Sequence, residues 1–222
     1  MRFIVQIKGP DALKQIEAAK KAGAGLVEIH LDKVNDKKVF EESSLQTVAV
    51  MRPDWAGGEF KGYEGDRIKR LKEFSEVADF VEVEREIAPQ YKSDVILHLE
   101  KGSTVSVVSI HYRMLPLEND IVDAIEDAKK MGIIVRVCAP VESHDDVLRV
   151  LKAVEKSKVG DEASTIVVDG YGKDEKLLRY LSYHFGSYWT RASPDEIKGI
   201  KSLKAGKLSK KLISDAARKI SK

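Results

Sequence analysis

Cysteine is almost absent. Cys138 is the only one in 222 residues, so no disulfide can close within the chain, and a reducing compartment, the cytoplasm, is the expected location. No apolar run approaches the roughly 18 residues of a membrane span. The N-terminus opens into a strand pattern where an exported protein has a charged-then-apolar leader, so no membrane partner is expected. No glycine-rich dinucleotide turn follows that first strand pattern. Gly206-Lys207-Leu208-Ser209 has the end of a phosphate loop but lacks its earlier glycine and strand. No pair among His30, His98, His111, His144 and His184 stands at a metal-ligand spacing. Neither a metal nor a cofactor is therefore expected. A charge excess is lacking too: the net charge is +2, which does not argue for nucleic acid. The local exception lies between Lys198 and Lys222, where nine Lys and Arg meet one acid, Asp215. Its helix pattern, Leu208–Ile220, reads as a solvated basic face, either capping the bottom of the fold or meeting a second copy, so a homodimer is left open.

What is present is enough apolar matter for one large core: 43% hydrophobic residues beside 33% charged ones, which excludes a disordered chain. Short β-branched runs alternate with longer amphipathic stretches. The runs are Phe3–Ile7, Leu26–Leu31, Thr47–Met51, Asp79–Glu84, Val105–His111, Ile133–Ala139, Thr165–Asp169 and Tyr188–Thr190. Helical patterns fill Asp11–Ala22, Asp66–Val77, Pro116–Lys130, His144–Ser157 and Lys173–Phe185, with a weak one between Lys33 and Gln46. Ser143 suits a helix N-cap, and Gly23 and Gly132 suit helix ends. Strand–helix alternation along a whole chain implies βαβ units and a parallel sheet. Eight such units with short loops and no linker predict a single (β/α)₈ TIM barrel, one domain over residues 1–222 with its basic helix at about 208–220.

Side chains alternate faces along a strand, so residues spaced by two share a face. Polar residues with that spacing gather at the carboxyl ends of the strand patterns: Gln6 and Lys8, Glu28, His30 and Asp32, Arg52, Glu82 and Glu84, Ser109 and His111, Arg136 and Cys138, Asp169 and Tyr171. Convergence of so many ionisable groups on one barrel mouth points to a site for a small, polar, anionic ligand. His111 is the candidate acid/base, because an imidazole titrates near neutral pH.

From Arg2 to about Thr190 the chain resembles type I 3-dehydroquinate dehydratase. The landmarks are Val27–Asp32, Arg52 followed by Gly57-Gly58, Asp79–Glu84, Val107–His111 and Tyr183-His184-Phe185-Gly186-Ser187. The resemblance implies the same barrel, a lyase of the shikimate pathway that converts 3-dehydroquinate to 3-dehydroshikimate and water, proton transfer by His111, and substrate binding by Glu28, Arg52 and Arg179. It also implies an imine lysine on the sixth strand, and Arg136 stands there. A guanidinium stays protonated and is no carbonyl nucleophile. His30 replaces a family arginine, Ala56 replaces an acid before the glycine pair, with Glu59 just after it, and Thr190–Pro194 runs straight into Asp195 where the family has a covering loop. Lys8, on the face of Gln6 at the first strand's end, is the amine that would carry an imine. Otherwise His111 moves the protons and Arg136 stabilises an enolate by its field. Two alternatives remain: a ligand-binding relative without turnover, and a different lyase or aldolase on the same scaffold.

Overall fold

The computed structural model describes residues 2–159 and 165–202, the last three by backbone alone, and among them eight parallel strands alternate with helices. In chain order these are β1 (Phe3–Ile7), α1 (Ala12–Ala22), β2 (Leu26–His30), α2 (Lys37–Glu41), β3 (Gln46–Val50), a short 3₁₀ turn (Asp54–Ala56), α3 (Glu64–Phe74), β4 (Phe80–Glu84), α4 (Pro89–Lys101), β5 (Val105–His111), α5 (Glu118–Lys129), β6 (Ile134–Pro140), α6 (His144–Lys156), β7 (Thr165–Tyr171), α7 (Glu175–His184), β8 (Thr190–Arg191) and α8 (Pro194–Ser202). The strands lie in the order β7-β6-β5-β4-β3-β2-β1-β8. The two end strands form no ladder with each other, but the chain just before β8 meets β7. The Tyr188 N–H donates to the Ile166 carbonyl at 2.9 Å, and the Val168 N–H donates to Ser187 Oγ at 3.0 Å. The result is a nearly closed (β/α)₈ barrel, as the alternation of runs predicts. No helix among the described residues is long and apolar enough to cross a membrane.

The period-2 reading holds along the strands. One set of strand faces packs outward on the helices: Val5, Ile7, Val27, Ile29, Val81, Val83, Val108, Ile110, Val135 and Val137 belong to the larger apolar cluster. The other set plugs the amino-terminal half of the interior with Ile4, Leu26, Val48, Val50, Phe80, Val107, Ile134, Val167 and Trp189. A plugged floor leaves the polar inward side chains on the carboxyl side of that cluster.

Local signals explain several element ends. Ser143 and Asp146 form a reciprocal capping box at the start of α6, and Gly23 closes α1 in the left-handed conformation at φ 96°. Gly132 is different from expectation: α5 stops at Lys130 in a right-handed conformation. A Cβ on Gly132 would come within 2.6 Å of Val108 Cγ2, so glycine is needed there for close approach to β5. Strand β8 begins at Thr190, two residues after the expected Tyr188, because Trp189 turns into the interior ahead of the pairing with β1. Helices α4 and α8 go beyond the expected set; α4 buries only Val95 and Leu99, too sparse an apolar stripe to announce a helix. The expected helix at 208–220 lies outside the described residues.

Candidate active site

Above the apolar floor, β2, β4, β6 and β7 each turn a charged side chain inward at mid-strand. Arg136 sits at the centre. Its Nη1 donates to Glu28 Oε2 at 2.6 Å and to Glu82 Oε2 at 2.5 Å, and its Nη2 donates to Asp169 Oδ2 at 2.8 Å. The four side chains are 2% exposed or less. Two more guanidiniums complete the set. Arg52 Nη2 donates to Glu82 Oε1 at 2.7 Å, and Arg191 Nη2 lies 3.1 Å from Asp169 Oδ1. Three buried carboxylates thus face three guanidiniums, the arrangement that makes charge burial tolerable.

Neutral and titratable groups trim this core. Gln6 Nε2 donates to Glu28 Oε1 at 2.8 Å, and His30 Nε2 lies 2.9 Å from the same oxygen. His111 Nε2 lies 3.5 Å from Glu82 Oε1. Burial is the largest influence on Glu28 and works against its ionisation, yet Arg136, His30 and Arg52 together hold its carboxyl well below the usual range. Glu82 behaves alike: burial opposes its charge, and Arg136, Arg52 and His111 outweigh it. Burial lowers the pKa of His111, with Arg52 and Arg136 adding to that effect and Glu82 opposing it, so the imidazole is neutral at neutral pH. Burial pushes Cys138, near this cluster on β6, up to about 12, which makes it a thiol and no nucleophile.

The structure therefore brings together Glu28, His30, Arg52, His111 and Arg136. Among the described residues Lys8 and Arg179 make no hydrogen bond or ion pair with these five. The Lys8 side chain stands exposed at the rim, acting electrostatically on Glu59, while its backbone is tied to Gln15. Arg179 lies on α7, its Nη2 donating to Glu175 at 2.9 Å and its Nη1 to the Arg191 carbonyl at 3.1 Å. Glu84 shares the spacing of Glu82 but pairs outward with Arg67 of α3 at 2.6 Å; burial pushes its carboxyl up to about 7 against that pull. Arg67 also donates to the Met51 carbonyl at 2.9 Å, bracing the turn that carries Arg52.

Sequence reasoning missed two of these residues. The signal for Arg67 was a charge on the apolar stripe of Ile68, Leu71 and Phe74; the signal for Arg191 was its spacing of two from Trp189.

The turn after β3 places Arg52 by glycine. Gly58 N–H donates to the Pro53 carbonyl at 2.9 Å, and a Cβ on Gly58 would stand 1.9 Å from the Arg52 carbonyl oxygen. That atom is backbone and cannot swing away. Gly58→Ala is expected to destabilise the fold by about 1–3 kcal/mol, the usual range for overpacking, and to displace Arg52. Urea denaturation checks it, and a midpoint equal to wild type would rule out the close approach.

Comparison with known proteins agrees with this architecture. The model of the family described as type I 3-dehydroquinase matches residues 3–218. The 3-dehydroquinate dehydratase of Methanothermobacter thermautotrophicus is 31% identical over 191 residues, covering 83% of this chain and 82% of that protein. The enzyme of the same name from Methanococcus maripaludis is 29% identical over 194 residues, covering 82% and 84%. Among solved structures, 3-dehydroquinate dehydratase from Geobacillus kaustophilus superposes with a TM-score of 0.82 at 19% identity over 93% of this chain and 91% of that one, a likeness of fold.

Proposed function

The chain belongs to the type I 3-dehydroquinase family, and from that premise we propose that it dehydrates 3-dehydroquinate to 3-dehydroshikimate, the carbon–oxygen lyase step of the shikimate pathway. The observation that carries the reading is the neutral, buried His111 in the same inward cluster as Arg52, on a chain similar along most of its length to relatives that bear the enzyme's name. In a β-hydroxy ketone, a base takes the proton next to the carbonyl. The C–H pair becomes the new double bond as the hydroxyl leaves, and that hydroxyl collects a proton to depart as water. In this reading His111 takes the first proton and returns one to the leaving oxygen. Glu82 lies 3.5 Å from its ring, and Arg52 and His30 meet the anionic, hydroxyl-rich substrate. Arg136, with both terminal nitrogens committed to carboxylates, braces Glu28 and Glu82 and does not attack the ketone. The working unit is one barrel domain in the cytoplasm, and a second copy would add a contact surface without completing the site.

The same Arg136 favours a second reading, a carboxylate-binding barrel without turnover. Purified protein with 3-dehydroquinate separates the two, by following the conjugated enone of the product. Turnover is expected, with no mass increase after borohydride reduction. Absence of turnover in a folded sample that binds the substrate would favour the second reading. A reduced adduct that maps to Lys8 would replace acid–base elimination by imine chemistry.

A further inference from the structure

The groups that would meet a ligand have little open surface. His30 is 12% exposed, Arg52 11% and His111 9%, and Glu28 and Glu82 beside them are enclosed. Segments that follow three of the strands are tied together on the carboxyl side of this layer. Arg113, two residues beyond His111, uses Nη2 to donate to the Trp55 carbonyl at 3.2 Å, in the 3₁₀ turn after β3. The Tyr171 hydroxyl, at the end of β7, donates to the Tyr112 carbonyl. Arg113 also acts electrostatically on Tyr171. The chain after β3 is held a second time by the ion pair of Glu59 with Lys33, which follows β2.

The strand order turns these ties into a cover. β3 and β5 stand two strands apart in the barrel wall, and so do β5 and β7. A bond between ends two strands apart cuts a chord across part of the mouth. The first chord skips β4, which carries Glu82, and the second skips β6, which carries Arg136 and Cys138. Both ties end on backbone carbonyls, and Trp55, Arg113 and Tyr171 are all exposed. Water replaces an exposed hydrogen bond at little net cost, so the cover can open while the buried ion cluster stays intact. We infer that Arg113 is the clasp of this cover: it holds the loop after β5 against the turn after β3, and its release admits the ligand to His111 and Arg52. Arg113 is thereby a positioning residue. The inference concerns entry, so it applies to any ligand of the inner layer and does not rest on dehydration.

Cys138 serves as the reporter. It is the one cysteine of the chain, it pairs in register with His111 on one side and Asp169 on the other, and it acts electrostatically on Tyr171. Labelling of the intact protein with N-ethylmaleimide, followed by mass, therefore reads a single site. Its rate tracks the fraction of molecules that are open. Arg113→Ala removes the clasp and is expected to label about 2- to 10-fold faster than wild type, the range set by loss of one net hydrogen bond, at an unchanged urea midpoint. Tyr171→Phe deletes the second tie and is expected to act in the same direction. Arg113→Lys keeps a charged donor and is expected to fall between wild type and alanine. Turnover of 3-dehydroquinate plays no part in this readout, so the clasp and the dehydratase reading fail separately. Should the alanine variant not fold, Arg113→Gln takes its place under the same criteria. A folded Arg113→Ala protein that labels at the wild-type rate overturns the inference. So does faster labelling accompanied by a lower urea midpoint, which reports a loosened barrel.

Discussion

His111→Ala is expected to lower the dehydration rate by about 10²- to 10⁴-fold, the usual contribution of a positioned acid or base, while leaving the fold in place. The side chain is 9% exposed at the end of β5, and among the described residues its one ion-pair contact is the 3.5 Å approach to Glu82. The apolar floor is built without it, so its removal takes away a proton carrier and not a structural pair. Burial lowers its pKa from the ordinary 6.5, and Arg52 and Arg136 lower it further against the pull of Glu82. A base with a lowered pKa stays neutral to more acid pH. The acid limb of kcat/KM is therefore expected below pH 6.5, and it should vanish from the residual rate of the variant. His111→Gln, which keeps a hydrogen-bonding amide but carries no proton, is expected to be as slow as alanine. Wild-type turnover in either folded variant would remove His111 from the mechanism.

Arg136→Met is expected to destabilise the protein by about 3–5 kcal/mol at pH 7, because losing one member of a buried ion cluster leaves the others uncompensated. Here the remaining groups are Glu28, Glu82 and Asp169, all essentially enclosed. Methionine fills much of the volume, so the loss is electrostatic and has a pH signature. In wild type Arg136 helps hold all three carboxyls below their ordinary values against burial. Groups with lowered folded pKa values contribute stability that is complete above the ordinary carboxylate range near 4 and is lost as pH falls through the folded values. In the variant that attraction is gone, the carboxyls take up protons at higher pH, and the uncompensated charge disappears. The gap between wild type and variant is therefore widest near neutrality and narrows toward pH 4. Urea denaturation at both pH values measures it. A loss under about 1 kcal/mol at pH 7, or a gap independent of pH, would show that the cluster does not work as an ion pair network.

The two experiments probe different parts of one layer. The first asks whether His111 carries a proton, and the second whether Arg136 offsets the three acids buried beside it. Arg136 on the sixth strand has both terminal nitrogens bonded to carboxylates, and Arg191 shares Asp169 with it.

The sequence alone determined the strand count, the barrel and the inward polar layer. Those features follow from periodicity: β-branched runs separated by helix-length stretches, and polar residues two apart at the strand ends. Helix α4 escaped because its stripe, Val95 and Leu99, was too thin to register. Which charges meet was decided by the tertiary structure. Arg136 finds partners 108, 54 and 33 positions away, and no local pattern encodes such pairings. Glu82 and Glu84 share one spacing on one strand, yet one joins the inner cluster and the other pairs outward with Arg67. The exposure of Lys8 at the rim and the bond from Arg179 to Glu175 were likewise settled by the tertiary structure. Periodicity assigns a side chain to a face; the closing of the barrel decides which neighbour it reaches and how much water it keeps, and on those two quantities its charge and its chemistry depend.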